Sequence, residues 1–135
     1  MSLITWENSY SVKVKVIDNQ HQKLVGLINE LYDGMNQGKG REASGKTLDE
    51  LISYTRTHFA YEEQLFKIHG YPTYTAHKAE HDALTAKVLD FQKQFREGKA
   101  NLALPLMTFL KDWLINHIRG TDQKYSGFLN SKGVY

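Results

Sequence analysis

Apolar positions recur along this chain with helical spacing in four long runs. In the first run Ile17, His21, Leu24, Ile28, Leu31 and Met35 step by four and three. The second holds Leu48, Leu51, Thr55, His58, Glu62 and Leu65, and the third Tyr74, His77, His81, Leu84, Val88, Phe91 and Phe95. The fourth holds Met107, Leu110, Leu114 and His117. Each run predicts a stripe along one face of an amphipathic helix. Breaker-rich stretches separate them: NQGKGREASG at 36–45, HGYPT at 69–73 and EGKAN at 97–101, with SKGVY closing the chain. Asp18 is the expected N-cap of the first helix. Pro72 is the expected end of the second, and Pro105 fits the first turn of the fourth. Four such helices with short connections predict an all-α fold, an up-down-up-down antiparallel four-helix bundle over 18–130. The preceding residues, 1–17, contain SVKVKV, which alternates like a strand but has no strand to pair with. They are expected as an extended arm laid on the bundle and anchored by Trp6 and Tyr10.

Composition narrows the picture without redirecting it. A chain of 135 residues, 41% apolar and 24% charged, is the size and make-up of a single domain, 1–135. The net charge of +2 comes with dispersed lysines and gives no basis for nucleic-acid binding. No apolar run approaches the ~20 residues of a membrane span, and MSLITWENSY lacks the order of a signal peptide. The absence of cysteine excludes disulfides, thiolate ligands and cysteine catalysis. It suits a cytoplasmic protein, expected as a monomer.

The stripes place His21, His58, Glu62, His77, His81 and His117 where Leu or Ile belongs. A buried ionisable group costs several kcal/mol unless paired, neutralised or metal-bound, on the order of the full desolvation penalty. Antiparallel topology brings all of these to one end. His21 starts the first helix, His58 and Glu62 lie late in the second, His77 and His81 start the third, and His117 is late in the fourth. His58 and Glu62 are four apart, as are His77 and His81, so each pair shares a helix face. Imidazole and carboxylate suit iron, zinc, manganese or copper. With a second carboxylate the donors are too many for one metal and suit two, with carboxylates bridging. Asp122 is the preferred second carboxylate, five residues beyond His117. Five residues of α-helix turn about 500°, leaving the two about 140° apart. A π-bulge or a loosening at Gly120 is therefore required. Asp112 is the rival, about three turns from Asp122 and farther from the common end.

HKAEH at 77–81 also matches the H-x-x-E-H pattern of one class of zinc peptidases. Glu80 lies off the histidine stripe, and that reading leaves the other inward donors unexplained. Glu80 is expected to be solvated, Glu63 to be a surface charge, and His69 to have a surface or capping role.

The motifs DNQH at 18–21, HFAYEE at 58–63, GYPTYTAHKAEH at 70–81 and WLINHIRGTD at 113–122 together resemble the hemerythrin family in its stand-alone bacterial form. The resemblance covers essentially the whole chain and fills all seven ligand positions. Phe66 stands where the bacterial form commonly has methionine. The resemblance implies two iron ions, Fe2+/Fe3+, with an oxo or hydroxo bridge. It assigns His77, His81 and His117 to one iron, His21 and His58 to the other, and Glu62 and Asp122 to both. It implies dioxygen as ligand at the second iron, for oxygen storage or delivery to an oxygen-requiring enzyme, and Leu114, Ile118, Phe59 and Trp113 as walls of a dry oxygen pocket. Carboxylate-rich di-iron enzymes carry a Glu-x-x-His motif on each of two helices, and this chain has none. More imidazole and less anionic charge favour Fe(II) and reversible binding over catalysis, so a non-enzyme is expected. An oxygen or redox sensor and a di-iron protein with peroxidase-like activity are the alternatives.

Overall fold

The four apolar stripes fold inward onto one another. In the computed structural model, which describes residues 3–36, 41–98 and 102–135, they form α1 (Lys15–Asn36), α2 (Arg41–His69), α3 (Tyr74–Arg96) and α4 (Ala103–Asn116). A π-helical segment, His117–Asp122, joins α4 without a break to α5 (Gln123–Ser131). The long fourth rod is thus α4, the π segment and α5 in sequence. The architecture is the expected antiparallel four-helix bundle, with α1 beside α2 and α4, and α2 beside α3.

Several boundaries differ from expectation. Helix α1 begins at Lys15, so Asp18 lies inside it and is not its N-cap. Its carboxylate instead accepts from the Ser11 hydroxyl at 2.6 Å and the Val12 N–H at 2.8 Å, and so secures the arm. The first expected break is shorter than 36–45, because Arg41–Gly45 are helical. Phe95 of α3 approaches Gly45 so closely that a Cβ there would meet its ring at 3.2 Å. Residues 37–40 of that break, and 99–101 of the third, lie outside the described residues. Helix α2 ends at Gly70 rather than through Pro72. Gly70 has φ of +69°, and the Tyr71 N–H reaches back to the Phe66 carbonyl at 2.9 Å. That six-to-one bond closes the last turn and favours glycine at the left-handed position. Pro105 lies in the first turn of α4, as expected.

The arm carries one 3-10 turn at Asn8–Tyr10 and a left-handed residue, Lys13 at φ +62°, and is otherwise without regular structure before α1. Its ends are tied down. The Ile4 N–H and carbonyl both bond the Asn29 amide, at 2.9 and 2.8 Å. Gln123 donates to the carbonyls of Ser9 and Ser11, and Asn130 to that of Lys13. Tyr10 is buried, with Trp6 edge-on at 5.6 Å. Val12 and Val14 point inward, whereas Val16 belongs to α1 and is exposed.

The apolar interior forms two clusters. The larger fills the bundle with residues such as Leu24, Ile28, Leu51, Phe59, Leu84 and Leu114. The smaller closes one end, where Val12, Val14 and Ile17 meet Phe66, Tyr71, Tyr125 and Leu129. Between them lies a polar layer. Along each helix the sequence passes from one cluster to the other through histidines or carboxylates: Ile17, His21, Leu24 on α1, and Phe59, Glu62, Phe66 on α2. Burying such a layer between two apolar ones is costly unless something compensates its charge.

Candidate metal centre

The layer contains His21, His58, Glu62, His77, His81, His117 and Asp122, each at most 5% exposed. The structure brings together all seven residues that the sequence singled out. Two groups of ligating atoms converge. Glu62, His77, His81, His117 and Asp122 form one, and His21, His58 and Glu62 the other.

The π segment is what admits Asp122. Its hydrogen bonding runs five residues back, as where the Gln123 N–H meets the Ile118 carbonyl. Residues five apart then stack on one face. His117 Nε2 accordingly lies 3.0 Å from Asp122 Oδ1. Asp112, the rival carboxylate, is exposed, and so is Gly120.

Asp122 offers its two oxygens to different sides, whereas Oε1 of Glu62 reaches both. Asp122 Oδ1 is 3.0 Å from His77 Nε2, while its Oδ2 is 3.2 Å from His21 Nε2. Glu62 Oε1 is 3.2 Å from His81 Nε2 and 3.4 Å from His58 Nε2. Glu62 Oε2 turns toward His21 Nε2 at 3.9 Å. Despite these approaches, Nε2 of His21, His77, His81 and His117, Oε1 of Glu62 and both oxygens of Asp122 have no hydrogen-bond partner. Buried polar atoms are nearly always paired. These aim at shared points rather than at one another, which is the arrangement expected of metal donors. Nitrogen and carboxylate oxygen without sulfur suit first-row transition ions.

Electrostatics agree. Burial pushes both carboxylates up, and Asp122 pushes Glu62 up further, yet the surrounding histidines outweigh that and hold Glu62 and Asp122 below the ordinary carboxylate range. Burial lowers His77, but Asp122 and Glu62 raise it to about 9. His117 is likewise raised against burial, by Asp122 first. His58 is dominated by burial and falls to about 4. Two ionised carboxylates thus demand positive charge at the centre of the layer. Protons on imidazole supply it here, and a cation can replace them.

Three residues behind the histidines escaped the sequence reading. His58 Nδ1 donates to Gln20 Oε1 at 2.6 Å. His81 Nδ1 donates to Glu63 Oε2, and His117 Nδ1 to Glu80 Oε2, both at 2.9 Å. Glu63 is therefore not a bland surface charge, and Glu80, although half exposed, is not simply solvated. Tyr125 is a fourth omission. Its buried hydroxyl makes a short hydrogen bond to Glu62 Oε2. Burial, Asp122 and Glu62 push this phenol well above its usual value, so it stays a donor. The sequence did carry a signal for the first three: each adjoins a ligand-stripe residue, His21, Glu62 or His81. His69, at the end of α2, is half-buried and belongs to neither donor group.

Aromatic and aliphatic side chains wall the layer on the bundle side. Phe59 stacks on His81 with centroids 3.7 Å apart, and Trp113 on His117 at 4.3 Å. Phe59, Trp113 and Leu114 also line an apolar cavity of about 30 Å³, together with Leu24 and Ile28. Thr55, its one polar neighbour, has its hydroxyl bonded to the Leu51 carbonyl at 2.7 Å. Ile118 is fully buried in the same apolar cluster, outside the cavity lining. Phe66, which stands where the bacterial form commonly has methionine, is fully buried against His77 and Tyr125.

Known proteins resemble this chain in sequence and fold. The model of a family described as the Hemerythrin HHE cation binding domain matches residues 12–129. The chain is 38% identical over 132 residues to a bacteriohemerythrin of Methylococcus capsulatus, covering 97% of this chain and 100% of that one. It is 36% identical over 126 residues to a bacteriohemerythrin of Stenotrophomonas maltophilia, covering 93% and 81%. A crystal structure of wild-type hemerythrin superposes with a TM-score of 0.88 at 38% identity, covering 93% of this chain and 97% of that one.

Proposed function

The chain belongs to the hemerythrin family, and from that premise we propose that it binds dioxygen reversibly at a non-heme di-iron centre, as a store or carrier rather than an enzyme. The observation that supports this most directly is the set of buried, unpartnered donor atoms converging from all four helical rods. His77, His81 and His117 would hold one iron and His21 and His58 the other, with Glu62 and Asp122 shared and an oxo or hydroxo group completing the bridge. When bound, the iron pair supplies two electrons for reversible reduction of dioxygen.

The chain's own residues account for the rest. Five neutral imidazoles and only two carboxylates leave the centre short of negative charge, which favours the ferrous state. Tyr125 holds Glu62 in place by donating to Oε2. Phe59, Trp113, Leu114 and Ile118 keep the approach apolar. They would thereby keep water and protons away from a bound iron pair. The apolar cavity beside Leu114 offers dioxygen a place near the site without a polar competitor.

No helix among the described residues is long and apolar enough to cross a membrane. The absence of cysteine supports a cytoplasmic protein, acting as a monomer that passes oxygen to an oxygen-requiring enzyme. We take residues 1–135 as one such domain.

The test is metal analysis together with the visible spectrum of the reduced protein, before air, after air and after oxygen removal. Two irons per chain and a band that appears and disappears with oxygen are expected. One metal per chain, zinc in iron-replete material, or irreversible oxidation would overturn the proposal.

A further inference from the structure

The three hydrogen bonds behind the histidines follow one rule around the bundle. A residue beside a ligand position on one helix holds Nδ1 of a histidine on the next. Gln20 of α1, next to His21, holds His58 of α2. Glu63 of α2, next to Glu62, holds His81 of α3. Glu80 of α3, next to His81, holds His117 at the start of the π segment. A carboxylate, or the carbonyl oxygen of an amide, can only accept. Each ring therefore keeps a proton on Nδ1, and a metal that displaces any proton from Nε2 meets that nitrogen's lone pair at the centre of the layer.

The acceptors are not alike. Both carboxylates back histidines of the group containing His77, His81 and His117. The other group has only the neutral Gln20 amide behind His58, and His21 Nδ1 is buried with no partner at all. Glu62 belongs to both groups, and Asp122, though grouped with the three histidines, also sets its Oδ2 3.2 Å from His21 Nε2, so the acceptors behind the rings are the sharper difference. A carboxylate on the far nitrogen makes an imidazole a more basic and more strongly donating ligand. It also places negative charge one ring away from the metal.

We propose that Gln20, Glu63 and Glu80 are positioning residues that lock the metal-facing nitrogens, and that the two carboxylates among them make the three-histidine position the tighter one, filled first. This rests on the reading of these residues as metal ligands. The two positions are then filled in order, and the position backed by His21 and His58 is the one that loses its metal first.

The test uses the full-length chain stripped of metal and titrated with Zn2+ alone, followed by nitrogen NMR of the histidine rings. The first equivalent should shift Nε2 of His77, His81 and His117, and the second those of His21 and His58. Glu63→Gln and Glu80→Gln keep an acceptor oxygen and remove the charge, giving both positions the chemistry that Gln20 provides. Each should weaken the first binding step by about 10–100-fold and leave the second nearly unchanged, and the double variant should fill both positions together. Gln20→Glu should strengthen the second step, a gain that a purely structural role would not produce. Binding of two equivalents in the parent with no order, or in the reverse order, overturns the inference and leaves the metal centre standing. So does a first step unmoved by both glutamine variants. Failure to bind a second equivalent overturns the inference and the paired centre together.

Discussion

Replacing Tyr125 with Phe isolates one buried hydrogen bond. The ring is fully buried and packs against Phe66 at 5.2 Å, His77 at 5.7 Å and Tyr71 at 6.4 Å. Phenylalanine keeps those contacts and creates no large cavity. What it removes is the donor to Glu62 Oε2. Glu62 is itself wholly buried, and its charge is retained by the histidines around it. A hydrogen bond to a charged group contributes about 1.5–3 kcal/mol, and the bare acceptor adds its own desolvation penalty. The expected loss in the metal-free protein is therefore ~2–3 kcal/mol, or roughly 6–12 °C in Tm for a chain of this size. Because the phenol is held well above its usual pKa, the loss should be the same at pH 6.5 and pH 9. Urea denaturation followed by far-ultraviolet circular dichroism measures it. A change below ~0.5 kcal/mol, the scatter of an ordinary surface substitution, would show that Tyr125 packs but does not hold Glu62.

Glu62→Ala and Asp122→Ala should each abolish the coupled metal pair, whereas Asp112→Ala should leave it intact, since Asp112 is exposed. Two coupled irons surviving in Asp122→Ala would refute the bridging role. Leu114→Ala should lower stability by ~2–5 kcal/mol, still bind oxygen and autoxidise faster, and Ile118→Glu should autoxidise faster again. Unchanged decay of the oxygenated spectrum in both would mean these side chains do not protect the site. In the metal-free protein His58, lowered to about 4, contributes stability that is present above its unfolded value of 6.5 and lost as pH falls. His77, raised to about 9, contributes stability that is present below 6.5 and lost as pH rises through 9. The metal-free bundle should thus be most stable near pH 6.5, with a fall on each side on the order of a few kcal/mol. Denaturation midpoints that rise or fall steadily from pH 4.5 to 9 would contradict this.

Local pattern determined a great deal here. Helical periodicity is a property of neighbouring residues, so the four stripes and their inward faces are readable without coordinates. Histidine and glutamate in positions suited to leucine stand out for the same reason. Antiparallel topology, which follows from short connections, is enough to bring them to one end. Even the five-residue spacing of His117 and Asp122 announces a departure from α geometry, and the π segment is that departure.

Other features depend on partners distant in sequence. Glu63 and Glu80 lie about 100° around the helix from the neighbouring ligand, so their own stripe marks them as outward. Only the rotation and closeness of the next helix turns that flank toward His81 and His117. Tyr125 reads as one more core aromatic until α5 sets its hydroxyl against a carboxylate 63 residues away. Asp18 has the residue type of a cap, but the arm supplies better donors in Ser11 and Val12, and the helix starts earlier. Arg41–Gly45 contain poor helix formers, yet continue α2 where Phe95 of α3 packs against Gly45. The sequence by itself determined which faces are buried and which donors share a layer, because periodicity and residue chemistry are local. Which atom of each donor faces inward, and what holds it there, was decided only by tertiary structure, because hydrogen bonds between helices depend on axial rotation and register that no single helix encodes.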